Sequence, residues 1–438
     1  MLRLAATTEP ELPTVYDVKE YGATGNGTTD DTASIQAAID AAEAVSGEVA
    51  FPPGTYKHTG LTVNTTTGIT LAGYGAYPVL LYTGTGNAIA ISGTSGTRYA
   101  YVTLRDLDIK QSSRRNGTAI NADYCDFLIL ERVRLSQFTT GLSLDNCTGC
   151  KLYGCRSYDN ATGVQIGTGS GGFAWFGGAW DSNGRAVLID GVSTNLLFAG
   201  IEVDTDAHGQ NGAGSRGAVE VTAGSIGLTF DSCSFFAEAT PATGATVLLD
   251  GGCVDVTFNN CHFNGQLSGS ASQAAIKVAN ASYVKVLGGR TRNHSVASFV
   301  VDSASANVLI VDPRSSDATL ISGSGSTEPM TLTTENGALV AKGALVVDGS
   351  NAILRKAGAL QLNKSDDTAN VKLQYSAGFL YTADPIRGDS GLLTFERGEP
   401  AAPAPNGAYV YARDNGSGKT QLCVRFPTGA VQVLATEP

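Results

Sequence analysis

A six-residue pattern recurs down the middle of this chain and confines it to one kind of architecture. A large residue is followed three positions later by a small or aliphatic one, and two positions after that by another inward candidate. It occurs at Leu130/Val133/Leu135, Leu152/Cys155/Ser157, Trp175/Gly178/Trp180, Phe198/Ile201/Val203, Phe230/Cys233/Phe235, Phe258/Cys261/Phe263 and Val286/Gly289/Thr291. Successive copies begin between 22 and 32 residues apart. A repeat of this length cannot bury a core alone, so neighbouring copies must stack into a solenoid. The segments alternate as strands do, which predicts a β-helix. A functional site would then lie on an elongated flank or between chains.

A second ladder keeps the same period: Leu142-Ser143-Leu144, Val164-Gln165-Ile166, Val187-Leu188-Ile189, Val219-Glu220-Val221, Val247-Leu248-Leu249, Ile276-Lys277-Val278 and Phe299-Val300-Val301. Its outer members are apolar and its middle member varies, as in a strand with one buried face. Asn146, Asn160, Gly163, Asn183, Gly184, Asn259, Asn260 and Gly288 fall between strands, where tight corners need positive φ. The middle residues Leu188, Leu248 and Val300 are predicted to face outward although apolar, which marks an interface and suggests a parallel homotrimer.

The chain has 438 residues, 54 of them glycine, and only 16% are charged. That suits many tight coils. A net charge of −11 argues against nucleic acid, which selects a basic stripe. No apolar run reaches 18 residues, so no membrane-inserted helix is expected. The opening Met1–Ala6 is too short and too quickly polar for a secretory signal. Cys147, Cys150 and Cys155 lack a nearby fourth ligand. The eight cysteines are expected as reduced, buried thiols, and no cofactor or metal is expected.

Along the chain we expect a tether over 1–13, a cap with a helix over 14–60, and a β-helix body over 61–325. A β-rich region over 326–398 and a small antiparallel module over 399–438 follow. Asp414-Asn415-Gly416 is a strong turn signal inside the last of these.

The segment from Val18 to Ala42, which contains Tyr21-Gly22-Ala23-Thr24-Gly25-Asn26-Gly27-Thr28-Thr29-Asp30-Asp31, and its sequel Val49-Ala50-Phe51-Pro52-Pro53-Gly54-Thr55-Tyr56 closely resemble the opening of the pectate-lyase-like superfamily. That superfamily includes phage tailspikes, polysaccharide lyases, glycoside hydrolases and alginate epimerases. The resemblance implies an all-β, right-handed parallel β-helix. Asp30 or Asp31 is expected to cap a helix with Ile35, Ala38, Ile39 and Ala42 on its apolar face, closing the end of the solenoid. The stretch from Arg413 to Ala435 resembles C-terminal modules of phage and prophage tail proteins, which implies a trimerisation or tip region.

Reading outward positions coil by coil gives Asp108, Arg134, Arg156, Ala179, Glu202, Ser234, His262 and Arg290. Two residues further on come Lys110, Ser136, Tyr158, Asp181, Asp204, Phe236, Asn264 and Arg292. Asp181, Glu202 and Asp204 should therefore gather beside the longest insertions, Thr205–Gly217 and Ala237–Ala245. Together with Glu238 they are the candidate catalytic acids, because glycoside hydrolysis needs an acid and a base or nucleophile. Arg134, Arg156, Tyr158, Phe176, Asp206 and His208 are the candidate substrate-binding residues. Trp175 and Trp180 are expected inside; Phe176 and Tyr153 are better placed as platforms.

The expectation is a phage or prophage tailspike in the virion tail, made in the host cytoplasm and acting at the bacterial surface. It would bind and hydrolyse a bacterial surface polysaccharide, as a homotrimer attached to a tail or baseplate protein. A binding-only fibre is the alternative. A lyase using Arg156, Tyr158, His208 or His262 is the third reading.

Overall fold

The computed structural model describes residues 14–205, 217–237, 245–265, 274–311, 314–315, 317, 321–322 and 408–438. Asp206, His208 and Glu238 lie outside the described residues, as do the strands expected over 326–398.

The first unit is a right-handed parallel β-helix. Two strands per coil, joined by a sharp bend, build a 22-stranded parallel sheet, and a third strand builds an 11-stranded one. Both ladders hold residue for residue. Leu130 pairs with Leu152, Leu152 with Trp175, Trp175 with Phe198, and Phe198 with Phe230. In the second sheet Leu142, Val164, Val187, Val219, Val247, Ile276 and Phe299 follow one another in register. The stacking begins earlier than the sequence ladder showed: Val15–Asp17 already pairs with Glu48–Phe51.

Identical residues on successive coils stack like coins. Phe198, Phe230 and Phe258 lie 4.8 and 4.9 Å apart at 10° and 6°. Phe235 and Phe263 repeat this at 4.9 Å and 7°. Trp175 and Trp180 are both inside, as expected, with centroids 3.6 Å apart. All eight cysteines are free and buried.

The corners differ in mechanism from the sequence reading. Asn146 and Asn260 adopt positive φ, but Asn160 and Asn183 do not. These two are buried and stitch the coils with their amides. Asn160 Oδ1 accepts from Phe138 N at 2.8 Å, its Nδ2 donates to Leu135 O at 2.9 Å, and Asn183 Oδ1 accepts from Asn160 N at 3.0 Å. Each amide thus satisfies backbone groups that a turn leaves orphaned inside.

The helix Thr32–Glu43 buries Ile35, Ala38, Ile39 and Ala42, the predicted face, against Val15–Asp17, Glu48–Phe51 and Leu61–Thr62. At its start the capping expectation divides: Asp30 Oδ1 accepts from Thr32 N, the first N–H of the helix, at 3.0 Å. Asp31 occupies the N-cap position without a side-chain cap bond. Its carboxylate accepts instead from Thr24 N at 2.7 Å and Gly25 N at 3.0 Å, tying down the preceding loop.

The exposed apolar stripe expected on the second sheet is also corrected. Leu188 is 8% exposed, and Leu248 and Val300 are half-buried.

The described part of the second unit is a three-stranded antiparallel sheet, Tyr409–Asp414, Thr420–Arg425 and Gln432–Thr436. Asp414-Asn415-Gly416 opens its first turn, as expected, with Gly416 at φ 83°.

Candidate functional site

The first of the two columns predicted from sequence forms in register. Asp108, Arg134, Arg156, Ala179, Glu202, Ser234, His262 and Arg290 are consecutive register partners. Parallel coils stand about 4.8 Å apart, so residues of one column are immediate neighbours.

Charge pairing within this face is selective. Arg156 spans one coil to Asp181 with two hydrogen bonds, Nε to Oδ1 at 3.0 Å and Nη2 to Oδ2. Its guanidinium also lies 5.0 Å from the centroid of Tyr158. Arg134 rests on Tyr77 at 4.0 Å. Three predicted residues, Arg156, Tyr158 and Asp181, thus form one unit with Asp181 already committed to an arginine. Ala179 separates that unit from Glu202. Glu202 is exposed and Asp204, two residues on along the same strand, is half-buried. In the parallel column Ser136 and Asn264 are buried rather than outward in water.

Tyr153 and Phe176 are partners across adjacent coils. Their rings stack at 5.4 Å and 11°, and they remain 37% and 38% exposed. The next residue of that column is Ala199, too small to cover a ring. Between Tyr153 and Arg156 the strand turns sharply at Gly154, φ 56°, and the following coil turns at Gly177, φ 63°. A Cβ at Gly177 would meet nothing, so its glycine serves the backbone angle alone.

Two groups were not singled out from sequence. Asp108 begins the charged column, and its Oδ1 is buried with no hydrogen-bond partner among the described residues. Burial pushes its carboxyl up, against the pull of Arg134, Lys110 and Arg156. Its place in the column was visible; its burial was not. Glu220, on the second sheet, is 1% exposed and accepts from Arg185 Nη1 at 2.6 Å. The available signal was a lone carboxylate in register between Leu188 and Leu248.

Among the described residues no group of three or more His, Cys, Asp or Glu side chains is arranged to hold a metal, and no helix is long and apolar enough to cross a membrane.

The profile of the rhamnogalacturonase A/epimerase, pectate lyase-like family matches residues 15–269, more than half of the chain. The chain belongs to this family. Mannuronan C5-epimerase AlgE2 of Azotobacter vinelandii is 42% identical over 78 residues, a stretch that spans 16% of this chain and 8% of that relative. The chain therefore matches a small part of this curated relative. The A-module of the Azotobacter vinelandii mannuronan C-5 epimerase AlgE4 superposes with a TM-score of 0.55 at 16% identity, covering 72% of this chain and all of that one. The Dettilon tailspike protein (gp208) does so with a TM-score of 0.52 at 12% identity, covering 70% and 68%. At these identities the likeness is one of fold.

Proposed function

We propose that this chain is a tailspike-type protein that binds a bacterial surface polysaccharide along the β-helix flank and hydrolyses it. The observation that carries the binding half is the Tyr153–Phe176 stack. It is a parallel, half-exposed pair of rings, followed in its column by Ala199 and by strand position next to the Arg156–Asp181–Tyr158 unit. Aromatic faces suit the apolar faces of sugar rings, and a fixed guanidinium–carboxylate unit suits their hydroxyls. The pectate lyase-like family and the fold shared with a tailspike and with carbohydrate-modifying epimerases favour this ligand class.

For the chemistry, half-buried Asp204 donates the proton to the leaving oxygen and water-exposed Glu202 activates water. Two residues apart on one strand, they leave the backbone on the same side, and inverting hydrolysis needs their carboxyl groups about 6.5–9.5 Å apart. Asp181, held by Arg156, positions that arginine rather than moving a proton. The Thr32–Glu43 helix closes the solenoid, the C-terminal sheet belongs to a trimeric tip, and the protein sits in a virion tail.

The test is incubation of the purified protein with capsular polysaccharides and lipopolysaccharide O-chains from a strain panel, following polymer size, reducing ends and ultraviolet absorbance. Shortening with new reducing ends and no absorbance supports hydrolysis. Absorbing, unsaturated products would transfer the assignment to a lyase. Binding without shortening would make the protein an adhesin.

A further inference from the structure

A second aromatic pair stands at the corners that precede the strands of this sheet. Tyr101 and Phe127 come from adjacent coils, 26 positions apart in sequence, and stack at 5.1 Å and 10°. They are 58% and 44% exposed, more than Tyr153 and Phe176. Both occupy corners with positive φ, 57° and 58°, a backbone state that bulky residues seldom adopt. The corner residues on the next two coils, Gly149 and Gly172, hold the same state without side chains, φ 70° and 64°. The Phe127 ring leans over Gly149, where an added Cβ would lie 2.8 Å from Cδ1. No side chain of those two corners therefore stands in front of the Phe127 ring.

The rim of this pair is polar and fixed. The Arg98 guanidinium is bonded to both oxygens of Asp126, at 2.7 and 2.6 Å, and to Asn146 O at 2.5 Å. It lies 5.6 Å from the Tyr124 ring. Asp126 immediately precedes Phe127. A patch two rings wide, edged by clamped donors and acceptors, is small for a protein interface, which needs a broad apolar centre. It matches one sugar unit.

Register relates the two pairs. Glu131 lies four positions after Phe127 and is the direct partner of Tyr153 on the next coil. At most about 3.3 Å per residue along the chain and about 4.8 Å per coil put Phe127 within roughly 14 Å of Tyr153. That is within reach of a short oligosaccharide.

We infer that Tyr101 and Phe127 form a second carbohydrate subsite, and that one glycan chain runs diagonally across the sheet from it to Tyr153 and Phe176. This rests on the polysaccharide-binding reading above and adds to it the direction of the bound chain.

The experiment uses the full chain and the capsular polysaccharide or O-chain that it binds in the strain panel, cut into short and long fragments. Phe127→Ala and Tyr101→Ala should weaken binding of long fragments about fivefold, the equivalent of roughly 1 kcal/mol for one aromatic contact. Binding of the shortest bound fragments should stay unchanged, because these occupy the Tyr153–Phe176 pair. Phe127→Tyr should restore the affinity for long fragments. Phe176→Ala should weaken both classes. Equal binding of long fragments by Phe127→Ala, Tyr101→Ala and the unaltered protein overturns the second subsite while leaving the general reading intact. Changed oligomeric state in sedimentation with glycan binding intact overturns it as well and makes the patch a protein contact. Failure of the unaltered protein to bind any polysaccharide overturns both readings.

Discussion

Arg156 on one coil holds Asp181 on the next through two hydrogen bonds, while the same guanidinium lies against the Tyr158 ring. Of the acids on this flank, Asp181 is bound to an arginine, and Glu202 and Asp204 are the two proposed above for the chemistry. Asp181→Asn should reduce turnover of the cleaved polysaccharide by no more than about fivefold, since an exposed pair of this kind contributes at most about 1 kcal/mol. Glu202→Gln and Asp204→Asn should each lose about 100-fold or more, the usual range for general acid–base groups. Reducing-end assays on the three variants decide it. Equal losses in all three would return Asp181 to the catalytic set.

Tyr153 and Phe176 should matter for ligand and little for folding, because both rings are half-exposed. Phe176→Ala should weaken polysaccharide binding about five- to tenfold and leave the melting temperature nearly unchanged. Calorimetric titration alongside a thermal melt separates the two effects. A fall in stability with unaltered binding would make the pair a structural brace.

Phe230 should be the reverse. It is fully buried between Phe198 and Phe258 and touches Phe235 edge-on. Removing its ring opens a cavity bounded by stacked coils that cannot collapse without breaking register. Phe230→Ala should cost about 3–5 kcal/mol in denaturant unfolding. A loss under about 1 kcal/mol would mean that neighbouring coils relax independently.

His58 links stability to pH. It is fully buried against Tyr82, ring centroids 5.5 Å apart, with neither ring nitrogen hydrogen-bonded among the described residues. Burial pulls it from an ordinary 6.5 down to about 4, with Asp30 acting weakly in the other direction. Between those values the unfolded chain binds a proton that the folded chain refuses. Stability is therefore full above about pH 6.5 and declines as pH falls towards 4, by up to about 3 kcal/mol. Urea midpoints across this window should fall less steeply in His58→Phe than in the unaltered protein. Parallel slopes would remove His58 as the cause.

The architecture and the outward columns were legible in the sequence because parallel stacking copies a pattern without distortion. Each coil repeats the inward positions of the last, so Leu130, Leu152, Trp175 and Phe198 announce one interior line, and Arg134, Arg156, Ala179 and Glu202 one exterior line. The helix face of Ile35, Ala38, Ile39 and Ala42 was legible for the same reason, a period that burial imposes.

What only the tertiary structure decided are the choices made between coils. Arg156 reaches forward to Asp181, Asp31 reaches back to its loop rather than to its helix, and Leu188 and Glu220 are buried at positions whose alternation faces out. The Tyr101–Phe127 stack belongs to this class too, since its residues sit at corners that carry no strand pattern. Periodicity records the direction in which a side chain leaves the backbone. It does not record which of several neighbours within reach the side chain then meets, and that is settled by rotamers, charge and the covering of one coil by another.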